Sequence, residues 1–271
     1  MFSESNQPHF AVEGYLPKES SGKIKRITFP VSPICNIQCR YCTNVFARSS
    51  VMTDSEISVI TPIQALSLLS KTMEDEPLIA EIGVSGPGEP LATDDALDFL
   101  ELVNLKYPKF TKYLGTNGLL LADKAERIAA LGVKEVTVTV NAVDFEILKR
   151  IIPQIFYNGR SISGGYGARL LLAMQWEGIR KISSFGVRVT VSTVVIPGLN
   201  ENQIEAIAKF SSKMGASALK LIPLSPQGGF KKCPPPSLHQ LDLARKTAER
   251  HITVIRAQQG NQKIVGCVHQ D

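Results

Sequence analysis

Predicted β-strands and α-helices alternate along most of this 271-residue chain, and this alternation strongly limits the possible folds. The strand signals are short β-branched runs such as Glu135–Val140, and several of the helices stop at a glycine. The predicted strands are Ile27–Pro33, Leu78–Ser85, Lys112–Gly115, Glu135–Val140, Arg188–Ile196 and Ala218–Ile222. The predicted helices are Pro62–Met73, Thr93–Leu105, Asp123–Leu131, Ala168–Phe185, Asn202–Met214 and Leu238–Arg250. Alternation of this kind implies a parallel sheet with right-handed crossovers. Since a closed barrel needs eight such units, the sequence predicts an α/β fold, a partial (β/α)6 TIM-like barrel.

Regions at both ends of the chain differ in pattern from this alternating core. Residues 1–25 are polar and broken by glycine and proline, so we predict an irregular N-terminal arm before a core of residues 26–225. Residues 226–271 form a predicted C-terminal extension that adds the last helix and a strand, Ile252–Ile255. The extension begins with a turn-rich stretch, Gly228–Pro236, that suits a lid or a linker.

Composition narrows the class of protein further. Hydrophobic residues make up 44% of the chain, which is enough for a sizeable core, and the net charge of +5 is spread over the sequence. A charge this small and scattered does not predict nucleic-acid binding. The sequence has no apolar stretch near the ~18 residues of a membrane span, and its first residues lack the apolar segment of a signal peptide. We therefore expect a cytoplasmic protein.

Three of the five cysteines lie within eight residues, directly after the first predicted strand. Cys35, Cys39 and Cys42 have C-x3-C-x2-C spacing, and an odd, clustered count argues against a disulfide framework. Three thiolates can hold three irons of a [4Fe–4S] cluster and leave the fourth iron open for a bound molecule. The alternative is a zinc site, which would need a fourth ligand from distant Cys233, Cys267 or a histidine.

Polar residues follow several of the other predicted strands, at the edge of the sheet where βα barrels place their sites. Glycines in the second of these loops would let a ligand approach the backbone closely. The candidate binding residues are Tyr41, Gly86, Gly88, Glu89, Thr116, Asn117, Thr139, Asn141, Ser192 and Val195. The polar ones also suit ordinary turns and caps, and Val195 also suits the core.

Six stretches, taken in order, resemble the radical S-adenosylmethionine (SAM) core of the NifB family, which builds the iron–sulfur core of the nitrogenase cofactor. They are PVSPICNIQCRYC, SGPGEPLA, LGTNGLLL, VKEVTVTVNAVD, IFYNGR with GARLLL following, and VSTVVIPGLNE. The Gly-Pro-Gly-Glu loop matches the superfamily's GGE loop, with Pro87 in place of the first glycine.

The resemblance implies an oxygen-sensitive enzyme whose open iron is chelated by SAM. Reductive cleavage of SAM would yield a 5′-deoxyadenosyl radical for hydrogen abstraction, with methyl transfer as a further option. A low-potential ferredoxin or flavodoxin would supply the electron. It also implies that Gly86, Gly88 and Glu89 contact the SAM amino group, and that Tyr41 and Val195 lie at the adenine. The remaining polar candidates would bind the ribose and the carboxylate.

Departures from the family are as informative as the matches. The NifB family binds two further [4Fe–4S] clusters through cysteines in the arm, in the turn after the fourth strand and near the C-terminus. Here the arm has no cysteine, Ala142 stands in the turn, and residues 256–260 contain no cysteine pair. Alanine cannot bind iron, so we expect a one-cluster relative with another, unknown substrate. Two alternatives stay open: NifB-type assembly with the extra clusters held unusually or by a partner, and a non-catalytic cluster carrier or zinc-stapled scaffold.

Overall fold

The computed structural model describes residues 25–42, 59–75 and 79–255. Its strands are β1 (Lys25–Thr28), β2 (Ile37–Gln38), β3 (Ile79–Val84), β4 (Thr111–Thr116), β5 (Val133–Thr139), β6 (Gln154–Tyr157), β7 (Arg160–Ser163), β8 (Arg188–Val195), β9 (Ala218–Pro223) and β10 (Thr253–Ile255). Its α-helices are α1 (Pro62–Asp75), α2 (Asp95–Lys106), α3 (Leu121–Ala130), α4 (Phe145–Ile151), α5 (Gly164–Ser184), α6 (Ile204–Lys213) and α7 (Leu238–Ala248).

Seven strands form one parallel sheet in the order β1-β3-β4-β5-β8-β9-β10. The main core lies between this sheet and every helix except α4. Local sequence explains this packing, since α3 buries Leu121, Ala122, Ala125 and Ile128, which recur on one helical face. The helix then ends at Gly132, whose φ of 70° is a left-handed conformation that glycine adopts without strain. All seven strands therefore present their carboxyl ends at the same edge of the sheet.

A second, three-stranded antiparallel sheet lies at this edge. It consists of β2, β6 and β7, and β2 is part of the cysteine loop itself. The hairpin of β6 and β7 turns at Asn158 and Gly159, which both have positive φ, as a tight hairpin turn requires. A second apolar cluster packs beneath it and includes Ile37 and Ala142. The small sheet thus supports the cysteine loop against the carboxyl ends of the large one.

The predicted fold class is confirmed, and at least one helix lies between each two successive strands of the seven-stranded sheet. Several local predictions were wrong. Helix α2 begins at Asp95, with Asp94 as its N-cap, rather than at Thr93. Helix α5 begins at Gly164, four residues before the predicted start at Ala168. Helix α4 and the hairpin of β6 and β7 were not predicted.

Some expectations fall on residues that the structure does not describe. The N-terminal arm through residue 24, residues 43–58, residues 76–78 and the tail from residue 256 lie outside the described ranges, and Cys267 is in that tail. The division into arm, core and extension stays a prediction, although β10 of the extension pairs in parallel with β9 of the core. Across the described ranges, none of the helices combines the length and apolar character that crossing a bilayer demands.

Candidate functional site

One cavity of about 250 Å³ opens at the carboxyl edge of the parallel sheet. Most of the residues predicted from sequence line it together. They are Cys35, Cys39, Tyr41, Cys42, Gly86, Gly88, Glu89, Thr116, Asn117 and Thr139. The apolar part of the wall includes Ile37, Val194, Ile222 and Leu224. The sequence reasoning thus identified the right edge and most of the wall, and the binding role of each residue stays a prediction.

Backbone hydrogen bonds fix the shape of the cysteine loop. Phe156 donates its N–H to the carbonyl of Asn36 at 2.7 Å, and Arg40 donates its N–H to the carbonyl of Ile151 at 2.9 Å. Within the loop, the N–H of Cys42 bonds to the carbonyl of Cys39 at 3.1 Å. These bonds tie the loop to the small sheet and to the end of α4. The three thiols therefore lie on a loop whose backbone is held in place by hydrogen bonds.

Without a bound metal, burial keeps the Cys35 and Cys39 thiols protonated. Burial raises the pKa of Cys35 to about 12 and that of Cys39 to about 11, with a smaller upward contribution from the nearby Glu89 carboxylate in both cases. A coordinating metal overcomes this, since a bound thiol is deprotonated outright. Beside Cys35, the buried Asn36 Nδ2 has no hydrogen-bond acceptor among the described residues. An N–H donor in that position suits an anionic sulfur, so these residues fit an iron–sulfur cluster.

The arrangement of the ligands also bears on the kind of metal. Within the described ranges, no group of three or more Cys, His, Asp or Glu side chains could hold a metal ion between them. A single metal ion needs its ligands to converge on one point. A [4Fe–4S] cluster instead binds its cysteines through separate irons, so the thiols need only surround a common space. Cys35, Cys39 and Cys42 do this, since all three line the cavity.

The Gly-Pro-Gly loop is joined to the cysteine loop by close backbone contacts. Gly88 donates its N–H to the carbonyl of Ser32 at 2.9 Å, and Glu89 donates its N–H to the carbonyl of Ile34 at 2.7 Å. A Cβ atom added at Gly88 would lie 2.1 Å from the Ile34 carbonyl oxygen, so this position needs glycine. Gly86, with a φ of 104°, also has a conformation that favours glycine. The two loops therefore act as one rigid unit.

Glu89 is buried and braces two parts of the cavity wall. Its Oε1 accepts hydrogen bonds from the Thr116 hydroxyl at 2.5 Å and the Leu91 N–H at 3.1 Å, and its Oε2 accepts one from the Asn117 N–H at 2.7 Å. Burial raises the pKa of this carboxyl to about 7 against the lowering effect of these bonds. Both carboxylate oxygens are thus used within the protein, in a positioning arrangement at the end of β4.

Gln175, on α5, is a site residue that the sequence reasoning missed. It is fully buried, and its Nε2 donates to the carbonyl of Asn117 at 2.8 Å and to that of Thr139 at 2.9 Å. Asn117 in turn donates from Nδ2 to Asn36 Oδ1 at 2.6 Å. This chain of amides links α5, two strand ends and the cysteine loop. The available signal was a lone polar residue in the apolar run LLLAMQW.

Tyr41 and Asn141 form a pair. Asn141 is fully buried, and its Nδ2 donates to the Tyr41 hydroxyl at 3.0 Å, while its Oδ1 accepts from the Val194 N–H at 2.9 Å. Asn200 supports this pair by donating from Nδ2 to the Asn141 carbonyl at 2.8 Å. Asn141 therefore holds Tyr41 in the cavity wall.

Ser192 and Val195 differ from the prediction in how they relate to the cavity. The Ser192 hydroxyl is buried and shares a hydrogen bond of 3.0 Å with the hydroxyl of Thr139, which itself lines the cavity. Val195 lies in the main core, and its neighbour Val194 lines the cavity instead. The predicted placement of Val195 was off by one residue, because successive side chains of a strand point to opposite faces.

Ala142 occupies the position where the resemblance implies a further thiolate. It is fully buried in the second apolar cluster, against which Cys35, Cys39 and Cys233 also pack. A methyl group there contributes packing and no ligand. Position 142 therefore contributes packing to this cluster, and the absence of the further iron–sulfur cluster stays a prediction.

Comparisons with known proteins give matches over most of the chain. The family model described as the radical SAM superfamily matches residues 29–211. The chain is 35% identical over 237 residues to the FeMo cofactor biosynthesis protein NifB of Methanocaldococcus jannaschii, a match that covers 87% of this chain and 79% of that protein. The NifB of Klebsiella pneumoniae is 35% identical over 205 residues, which cover 74% of this chain and 44% of that one.

Solved structures share the fold at low sequence identity. A radical SAM methyltransferase from Sphaerobacter thermophilus matches with a TM-score of 0.66 and 16% identity, covering 88% of this chain and 67% of that one. Streptococcus suis SuiB bound to S-adenosylmethionine matches with a TM-score of 0.61 and 14% identity, covering 89% and 53%. Both matches extend well beyond the cavity, so the whole arrangement of strands and helices is shared.

Proposed function

Because the chain belongs to the radical SAM superfamily, in its NifB branch, we propose that it cleaves SAM at the cavity bounded by Cys35, Cys39 and Cys42 and acts on a substrate other than the NifB clusters. It is a radical SAM enzyme, and its cofactors are a [4Fe–4S] cluster and SAM. Enzymes of this kind need a one-electron reductant, and we propose a low-potential ferredoxin or flavodoxin as the donor.

The proposal depends on the number of cluster ligands that the cavity wall supplies. Of the described residues that line the cavity, the three cysteines are the side chains that typically ligate an iron–sulfur cluster, and Glu89 is the one carboxylate. Both oxygens of Glu89 already accept hydrogen bonds from the protein. Three thiols for four irons leave one coordination position for an exogenous molecule. The principle is that of catalytic zinc sites, in which the protein supplies three ligands and leaves the fourth position open.

The bound cluster and SAM together supply a 5′-deoxyadenosyl radical for hydrogen abstraction. The residues of the chain bind the cluster and SAM, orient them, and shield the radical from water. Ile37, Val194, Ile222 and Leu224 give the cavity an apolar wall that keeps water away from a reactive carbon centre. The polar strand ends, held by Glu89 and by the amide chain through Gln175, offer hydrogen bonds at fixed positions around it.

The substrate proposal rests on the missing ligands. Ala142 is buried among apolar side chains, and the arm of the sequence lacks cysteine. We therefore infer one resident cluster and a substrate that is not a pair of iron–sulfur clusters. A metallocofactor precursor, a protein side chain and a small metabolite all remain candidates.

NifB-type cofactor assembly is the second candidate, and a specific observation favours it. Relatives at 35% identity carry the name FeMo cofactor biosynthesis protein, and one of them matches over 79% of its own length. In this alternative the extra clusters would be held by a partner protein or by unusual ligands.

Iron and labile sulfide per chain after anaerobic reconstitution discriminate between the candidates. We expect about four irons per chain, and formation of 5′-deoxyadenosine when SAM and a reductant are added. The matched control is a variant with Cys35, Cys39 and Cys42 replaced by alanine, which should retain neither iron nor activity. A count near twelve irons would favour NifB-type assembly. Stable zinc without any SAM cleavage would instead support the scaffold alternative and overturn the enzyme proposal.

A further inference from the structure

We propose that the outer side of the cysteine loop is the docking surface for a small acidic electron-carrier protein. This inference rests on the proposed function, because radical SAM chemistry needs an electron that the chain itself does not supply. The surface is defined by the exposed side chains of Arg40, Arg150, Lys231 and Lys232, and we call it the basic face.

Three separate segments of the chain meet to form the basic face. Arg40, within the cysteine loop, donates from Nη1 to the carbonyl of Arg150 at 3.3 Å. Its own carbonyl accepts the Gly229 N–H at 2.6 Å, and its guanidinium lies 5.4 Å from the ring centroid of Phe230. Lys231 and Lys232 follow Phe230 directly. These contacts hold the segments that carry the four cations against the loop that carries Cys39 and Cys42.

The segments that form the basic face contain no acidic residue to neutralise its positive charge. Residues 36–42, 150–154 and 227–233 contain no aspartate or glutamate. Lys149, next to Arg150, is paired with Glu146 at 2.5 Å and adds no net charge. A cluster of four positive charges attracts an acidic protein, and electrostatic steering of this kind raises association rates by about 10- to 1,000-fold.

The position of the basic face suits electron entry. A second cavity of about 390 Å³ opens beside the cysteine loop and is lined by Gln38, Cys39, Arg40, Cys42, Pro153 and Gly229. Cys39 and Cys42 therefore line two cavities, the inner one at the sheet edge and this outer one. An electron carrier on the basic face would reach the cluster through its ligands while SAM occupies the inner cavity. A carrier approaching through the inner cavity would instead compete with SAM.

The test measures reduction of the cluster in the reconstituted holoenzyme. One variant combines Arg150→Glu, Lys231→Glu and Lys232→Glu, and so leaves the cysteine loop unchanged. The matched control combines Lys134→Glu, Lys209→Glu and Lys213→Glu, which are exposed lysines outside the three segments and give the same change in charge. The probe is reduced flavodoxin, and the readout is the rate at which the visible absorbance of the cluster bleaches in stopped flow. Photoreduced deazaflavin, a small reductant that needs no docking surface, is applied to the same proteins.

We expect flavodoxin to reduce the basic-face variant at least about tenfold more slowly than wild type at low salt, with the difference shrinking at high salt. The control variant should stay within about twofold of wild type, and deazaflavin should reduce all three proteins alike. Equal flavodoxin rates in the two variants would overturn the proposal. So would a variant that is slow with both reductants, because its defect would lie in the cluster site. Failure of the proposed function is a different result, namely a deazaflavin-reduced wild-type cluster that cleaves no SAM.

Discussion

Replacing Gly88 with alanine should separate the Gly-Pro-Gly loop from the cysteine loop. The new Cβ would lie 2.1 Å from the Ile34 carbonyl oxygen, 2.6 Å from the Ile34 carbonyl carbon and 2.8 Å from the Ser32 carbonyl oxygen. All three atoms belong to the backbone, so no side-chain rotation relieves the overlap. Carbon and oxygen approach closely only to about 3.3 Å, so the loops must move apart by about 1 Å.

The cost follows from the bonds that hold the loops together. Movement of about 1 Å weakens the hydrogen bonds from Gly88 to Ser32 and from Glu89 to Ile34. Each buried group left without its partner costs about 1–3 kcal/mol, so the unfolding free energy should fall by about 2–6 kcal/mol. Misplacement of a site by about 1 Å can also lower a rate about 100-fold. We therefore expect a large loss of SAM cleavage even where the protein still folds.

The assay is formation of 5′-deoxyadenosine per cluster, together with the urea midpoint of unfolding. Gly165→Ala is the matched control, because a Cβ there would first meet the Phe145 ring at 3.4 Å, an ordinary contact, in the first turn of α5. That control should match wild type within about twofold in rate and gain up to about 1 kcal/mol in stability. A Gly88→Ala protein with wild-type stability and turnover would refute the view that the two loops form one rigid unit.

Three other variants test the site. Cys39→Ala should lose the cluster and all SAM cleavage while keeping the circular dichroism of the folded chain, and full activity would contradict the ligand assignment. Cys233→Ala combined with Cys267→Ala should keep the iron content of wild type, and loss of iron would show that one of them is a ligand. Glu89→Gln should remove one source of pH dependence in the free energy of unfolding, because burial raises the pKa of Glu89 from 4.5 to about 7. The contribution of this carboxyl to stability is complete below pH 4.5 and is lost as the pH rises towards 7. The unfolding free energy of the variant minus that of wild type, from urea titrations, should therefore increase over this range, and a constant difference would contradict the raised pKa.

Much of the fold was predictable because it depends on local periodicity. The parallel strands are apolar runs and the helices have one apolar face, so short windows of sequence identify them. The hairpin of β6 and β7 carried a local signal too, since Asn158-Gly159 is a strong hairpin turn sequence, but its strands have only four residues each. The start of α5 at Gly164 contradicts glycine's low helix propensity. There the Gly164 N–H bonds to the carbonyl of Pro153 at the base of the β6–β7 hairpin, so the start of the helix depends on a hairpin that was itself not predicted.

The site was predictable in its residue types and less so in its interactions. The spacing of the cysteines and the polar strand ends indicated which residues meet at the cavity. That Glu89 braces Thr116 and Asn117, and that Asn141 holds Tyr41, depends on pairs 27 to 100 residues apart in sequence. Long-range pairs of this kind leave no periodic pattern. Gln175 shows the same limit, since its isolation in an apolar run marked it as unusual but not as the link between two strand ends.

Because the cysteine loop bonds to segments far along the chain, it can fold only late in protein synthesis. A ribosome releases Cys35, Cys39 and Cys42 early, yet the groups that shape their loop come much later: the Ile151 carbonyl, the Phe156 N–H and finally the Gly229 N–H. The loop therefore cannot reach its final form until most of the chain has been synthesised. Delivery of iron and sulfide should accordingly follow the emergence of Gly229 from the ribosome. A nascent chain stalled before residue 229 would contain all three thiols but would lack the Gly229 hydrogen bond that helps to fix their loop.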